Sequence, residues 1–175
     1  MTNLAPVLTS IDVPTRVLQR GFWLYVLELK IDGETWHYVG RTGDNGHLTA
    51  SDPFSRLAMH VQTRLGHGKV NTFNQLGHRK ALPPVSGWEM ESCVFHSYGP
   101  IFHEEIKDDP KRKDRHLAKR LKIAPLENHL NRAMRAVGYN VLNKAGRDRD
   151  YDREIWAVIH AAFAEKFEAL KAIKL

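Results

Sequence analysis

The chain has 175 residues, a formal net charge of +6 and 42% hydrophobic side chains. That length fits one domain, and the apolar content supports a packed core and excludes wholesale disorder. Cys93 is the only cysteine, which excludes an intramolecular disulfide and a cysteine-rich zinc site and makes a reducing cytoplasm the simplest compartment.

Residues 1–20 carry no clear period and read as an N-terminal extension, without the basic-then-apolar pattern of a secretory signal. Phe22 to Leu29 is rich in aromatic and branched residues, as strands are. Asp32-Gly33 is a hairpin turn signal, and Thr35 to Val39 reads as the returning strand. Gly40 to Ser51 is a loop. Asp52 can cap a helix that has Pro53 at its first position and Phe54, Leu57, Ala58, Val61 and Leu65 on one face. Gly66 and Gly68 end that helix, and a shorter one is expected over 71–82, before Pro83-Pro84. Trp88 to Tyr98 reads as a third strand, closed by Gly99-Pro100.

Arg115 to Arg120 has a helical pattern that Pro125 is expected to kink or end. A fresh helix is expected from Pro125 to Val137, with Gly138 as its C-terminal cap. The last segment, Tyr151 to Ile173, reads as one long amphipathic helix capped by Asp150 or Asp152; it either packs on the domain or mediates self-association. Strands joined by a short hairpin must be antiparallel, so the class is α+β, a small antiparallel sheet flanked by helices. The domain proper covers 21–147, and 148–175 is the C-terminal helical segment. No apolar stretch is long enough to span a bilayer, so no membrane association is expected.

The charge is unevenly placed. Residues 111–147 hold eleven basic side chains against two acidic ones, whereas 104–110 holds four acidic against one basic. The dense run of Lys111, Arg112, Lys113, Arg115, Lys119 and Arg120 points to phosphates, and hence to nucleic acid.

Ten histidines are present, but no two stand three or four residues apart, which argues against a helical zinc site. There is no Walker or Rossmann glycine loop and no G-x-S-x-G context for a serine nucleophile. What remains is a scattered polar set: Tyr25, Tyr38, Arg56, His60 and Glu127. Arg56 and His60 are four apart on one expected helix, so they share a face. A carboxylate to hold a divalent cation, an arginine for phosphate charge and a tyrosine or histidine to move a proton suit metal-assisted phosphodiester hydrolysis.

The order and spacing of these residues resemble a known family. Trp23-Leu24-Tyr25, with Tyr38-Val39-Gly40 thirteen positions on from Tyr25 to Tyr38, is similar to the paired motif of the GIY-YIG nucleases. Arg41-Thr42-Gly43-Asp44 resembles the loop that follows it, Arg56 and His60 its R-x-x-x-H, Glu127 its metal-binding glutamate, and Gly138-Tyr139-Asn140-Val141 its closing segment. The resemblance covers residues 21–143. Trp23 stands where the family usually has a small glycine, the loop after Gly40 is longer, and Pro125 precedes Glu127 by two residues.

The resemblance implies a three-stranded antiparallel sheet with flanking helices and a hydrolytic nuclease using one Mg²⁺ or Mn²⁺ ion. Glu127 would be the metal ligand, with Glu104 or Glu105 as fallback. Tyr25 would be general base or water positioner, with Tyr38 and His60 assisting. Arg56 would stabilise the transition state, and Asn140, or in competition with it Asn143, would support the site. DNA, double-stranded, is the expected partner, contacted by Arg41 and the basic run; a restriction-type, phage or mobile-element enzyme fits the size. Two other readings stay open: a non-catalytic nucleic-acid-binding module, and a nuclease for RNA or single strands.

Overall fold

The computed structural model describes residues 8, 10–31, 33–43, 48–61, 90–105 and 107–174. The chain is α+β, and the described residues form a three-stranded antiparallel sheet and three α-helices. The strands are β1 (Gly21–Ile31), β2 (Glu34–Arg41) and β3 (Met90–His103), in the order β2-β1-β3. The helices are α1 (Pro53–Val61), α2 (Arg112–Ala136) and α3 (Arg153–Ala164). The expected helix over 71–82, the Gly66 and Gly68 stop, and Trp88 lie outside the described residues.

The β1–β2 hairpin is the one the sequence predicts. Ile31 pairs with Glu34, and Gly33 at φ 77° supplies the left-handed backbone that a two-residue turn requires. Alternation then sorts β1 into two faces. Phe22, Leu24 and Val26 join Ile123, Leu126, Leu130 and Met134 of α2 and Trp156, Ile159 and Phe163 of α3 in the main core. Leu27, Leu29 and Ile31 form a second cluster with Trp36, Tyr38, Leu57 and Phe95. Tyr25 pairs with Gly40 and Leu27 with Tyr38, so both tyrosines lie on this second face.

Three sequence expectations need correction. First, Gly99-Pro100 does not close β3, which continues to His103 and pairs Phe102 with Phe22 after a register shift. Gly99 lies so close to Trp23 that a Cβ would stand 2.9 Å from the indole, so glycine lets the strand pass where another residue would stop it. Second, Pro125 neither kinks nor ends its helix; α2 is continuous through it. The proline withholds one hydrogen bond, from the carbonyl of Leu121. Leu121 is on the solvent side, 62% exposed, where water can take that bond, while Ile123 and Leu126 on either side of Pro125 are fully buried.

Third, the C-terminal helix stops at Ala164, and a 3-10 turn, Glu168–Ala172, follows. The chain reverses so that Phe167 packs against the rings of His37 and His96, 5.7 and 5.1 Å between centroids, and Leu170 enters the core. His160 Nε2 bonds the Leu170 carbonyl at 3.0 Å and ties the turn to the helix. This segment packs on the domain.

The helix ends follow the sequence signals. Asp52 accepts from the Ser55 N–H at 2.7 Å, and Asp152, not Asp150, caps α3 through the N–H groups of Glu154 and Ile155. Gly138 at φ 92° closes α2, with the Tyr139 N–H on the Met134 carbonyl and the Gly138 N–H on that of Arg135.

Four histidines are packed into this frame. Burial lowers the pKa of His37, His96, His116 and His129 below the ordinary histidine value, because it disfavours the imidazolium. His116 is 1% exposed, its ring tilted against Phe22 at 5.0 Å, and neither ring nitrogen has a hydrogen-bond partner. The unfolded chain therefore binds more protons than the folded one once pH drops below about 6.5. The stability held by the neutral rings is complete above that value and is lost as pH falls through the window beneath it. The thermal midpoint is expected to fall between about pH 7.5 and about pH 5.5, and His116→Leu to shrink the fall. An equal fall in both proteins would remove His116 from this account.

Candidate active site

The Tyr25 hydroxyl lies 2.7 Å from His60 Nε2, buried between β1 and α1. Arg56 Nε donates to the same oxygen at 3.4 Å, a long bond. Four-residue spacing on α1 puts Arg56 and His60 on the face turned to the sheet, as the sequence predicts. The Tyr38 ring stacks beside Tyr25 at 6.5 Å and tilts on His60 at 5.0 Å. Phe95 of β3 stacks on the other side of Tyr25 at 5.0 Å. Sequence reading missed Phe95, since nothing local separates it from an ordinary strand aromatic.

Gly40 explains the Y-V-G spacing. It pairs with Tyr25 across the hairpin, and a Cβ there would overlap the hydroxyl end of the Tyr25 ring. Thr42 and Gly43 have structural reasons as well. The Thr42 hydroxyl donates to the Gly21 carbonyl at 2.5 Å and accepts the Trp23 N–H at 2.8 Å. Gly43, at φ 76°, lies against the Phe22 ring, where a Cβ has no room. Asp44 lies outside the described residues.

Burial pushes the Tyr25 pKa far above the usual tyrosine range. Arg56 opposes that shift, while Tyr38 and Glu127 add to it. Tyr25 is therefore a phenol at neutral pH. Its dependence on Glu127 also places that carboxylate in the electrostatic neighbourhood of the cluster. Glu127 itself forms an ion pair with Arg41 at the end of β2, both partly buried, at 19% and 16% exposure.

Of the two asparagines, Asn143 is the one bonded beside Tyr38. Asn143 Oδ1 accepts the Val39 N–H at 3.0 Å and its Nδ2 donates to the Val39 carbonyl at 2.7 Å, as a neighbouring strand would. Val39 is the residue after Tyr38, so this clamp steadies the tyrosine's backbone. Asn140 is exposed and its side chain reaches only the Thr35 carbonyl, at 3.4 Å. Its backbone carbonyl accepts the His37 N–H at 2.8 Å, so residue 140 lies along the edge of β2.

The basic run forms the N-terminal half of α2, and the acidic 104–109 segment folds against it. Arg112 pairs with Glu104, Arg115 with Glu105 and Asp109, and Lys119 with Glu105. Lys111 and Lys113 are exposed, and Arg120 is partly buried. Glu104 and Glu105 are engaged by these cations, and Glu104 by Arg20 as well, so the two fallback metal ligands serve as ion-pair partners. At 1.5 Å per residue, Lys113 stands about 21 Å along the helix from Glu127.

The chain matches no protein-family model, no curated protein and no solved structure. Its functional reading therefore rests on the site alone. Among the described residues, no cluster of three or more histidine, cysteine, aspartate or glutamate side chains could hold a metal ion, and no helix is long and apolar enough to cross a membrane. A Mg²⁺ ion does not require such a cluster: it commonly takes one or two carboxylates and fills its shell with water and substrate phosphate. Of the groups gathered here, the partly buried Glu127 carboxylate is the one of that donor type.

Proposed function

We propose that the protein is a metal-dependent DNA endonuclease of the GIY-YIG type that hydrolyses phosphodiester bonds. The observation that carries the reading is the Tyr25–His60 contact at 2.7 Å, with Arg56 on the same oxygen and Tyr38 beside it. His60 and Arg56 of one helix meet the phenolic oxygen that a strand supplies, and the Tyr38 ring of the next strand packs on both Tyr25 and His60. Such a group serves proton transfer to and from an attacking water.

Burial holds Tyr25 as a phenol, so it works as a relay and not as a free phenolate. In that role its oxygen takes a proton from water as its own proton passes to His60 Nε2, with His60 protonated at Nδ1 beforehand. Arg56 steadies the charge that develops on the tyrosine oxygen and on the phosphate. Gly40 leaves room for the Tyr25 hydroxyl, and Asn143 fixes the strand that carries Tyr38. A divalent cation held by Glu127 would supply Lewis-acid stabilisation of the phosphate oxygens. Glu127 would then exchange its Arg41 partner for the ion, which frees Arg41 for substrate phosphate.

Arg56→Ala tests the assignment. Turnover on duplex DNA is expected to drop by a factor of about 10² or more, a typical cost for losing one such donor. A near-wild-type rate would remove Arg56, and with it the relay, from the reaction.

A further inference from the structure

A cleft of about 290 Å³ opens next to Glu127 and is lined by Arg41, Ala124, Asn128, Gly146, Arg147 and Arg149. Three of its six lining residues are arginines, and Glu127 is the carboxylate paired with one of them, Arg41. The segment that brings Arg147 and Arg149 has no regular secondary structure, yet it is pinned to α2. Asn128 Oδ1 accepts the Gly146 N–H at 2.8 Å, and Asn128 Nδ2 donates to the Arg147 carbonyl at 3.4 Å. Arg132 donates to the Gly146 carbonyl at 2.6 Å. A Cβ at Gly146 would stand 2.8 Å from Asn128 Oδ1, so the close approach needs glycine.

Asp148, between the two arginines in sequence, is ion-paired with Arg132 and does not line this cleft. Asp150 lines the adjoining cavity, which Arg149 also borders. Arg147 and Arg149 are exposed, so both side chains can reach an anion over the cleft. Planar guanidinium forks match phosphate oxygens in pairs, and a phosphodiester chain offers such oxygens at regular spacing.

We infer that the Arg41–Arg147–Arg149 cleft is a second phosphate site, which seats the nucleic-acid backbone beside the phosphodiester to be cut; the inference rests on the nuclease reading above. The clamp by Asn128 and Arg132 fixes the register between this phosphate and the Tyr25 cluster. The cleft therefore positions substrate, whereas the run at 111–120 contacts phosphates farther along.

The test is binding of labelled duplex DNA in EDTA, over a series of KCl concentrations, by the wild type and by a variant carrying Arg147→Gln and Arg149→Gln. Losing two phosphate contacts should make the slope of log K against log salt shallower by about 1.8 and weaken binding about tenfold or more at 0.1 M salt. A second variant, Arg147→Lys with Arg149→Lys, should keep the slope and so separate loss of charge from loss of fold. An unchanged slope in the glutamine variant, with salt-dependent binding in the wild type, would overturn the cleft and leave the nuclease reading standing. Wild-type protein that binds neither DNA nor RNA in a salt-dependent way would overturn both.

Discussion

Glu127→Gln is expected to abolish metal-dependent cleavage while duplex DNA binding, measured in Ca²⁺, survives. The substitution keeps the side chain's shape and removes its charge. A cation that stabilises the phosphate oxygens is worth several kcal/mol in the transition state, and each 1.4 kcal/mol is tenfold in rate, so a loss of about 10² to 10⁴ follows. The fold should tolerate the change, because the glutamine oxygen can still accept a hydrogen bond from the Arg41 guanidinium in this partly buried pair. Binding should hold or tighten, since Arg41 is released beside the cleft it lines. A variant that cuts at the wild-type rate would remove Glu127 as the metal ligand.

The second large effect is at Gly40. An alanine Cβ would overlap the hydroxyl end of the Tyr25 ring, which is 1% exposed and held between Phe95, Tyr38 and His60. The ring cannot withdraw without giving up His60. Overpacking of this kind costs about 1–3 kcal/mol of stability. Displacing a reacting group by about 1 Å can cost 10² in rate. Gly40→Ala should therefore lower both the thermal midpoint and turnover, while Gly33→Ala, strained in its left-handed turn but meeting nothing within 4 Å, costs stability and leaves turnover intact. Equal turnover in the two variants would show that the Tyr25 position is not critical.

Much of this arrangement was legible in the sequence where it rests on local chemistry. The hairpin, the Asp52 cap, the Gly138 stop and the shared face of Arg56 and His60 all follow from residue types at short spacing. The failures have tertiary causes. Pro125 signals a break by its own chemistry, but the buried neighbours of α2 on the sheet outweigh one missing hydrogen bond. The apolar stripe of the last segment continues past Ala164, yet Phe167 and Leu170 reach the core only if the helix ends. Asn140 and Asn143 are equivalent candidates in sequence, and the edge of β2 selects Asn143.

Charge is the other case where sequence alone misleads. The basic run and the acidic segment beside it are visible as blocks, but their mutual ion pairs depend on how the chain turns at 104–111. Arg147 and Arg149 sit in an irregular stretch with no period to mark them. Gly146 is the local hint, a residue that lets the backbone approach α2 closely.

The most direct test of the central claim is a cleavage assay on the wild-type protein. Supercoiled plasmid, single-stranded DNA and RNA would each be incubated with Mg²⁺, with Mn²⁺ and with EDTA. Conversion of the plasmid to nicked or linear forms with either ion, and none in EDTA, is the predicted result. Intact nucleic acid in every lane, beside salt-sensitive binding, would contradict catalysis and leave a nucleic-acid-binding module.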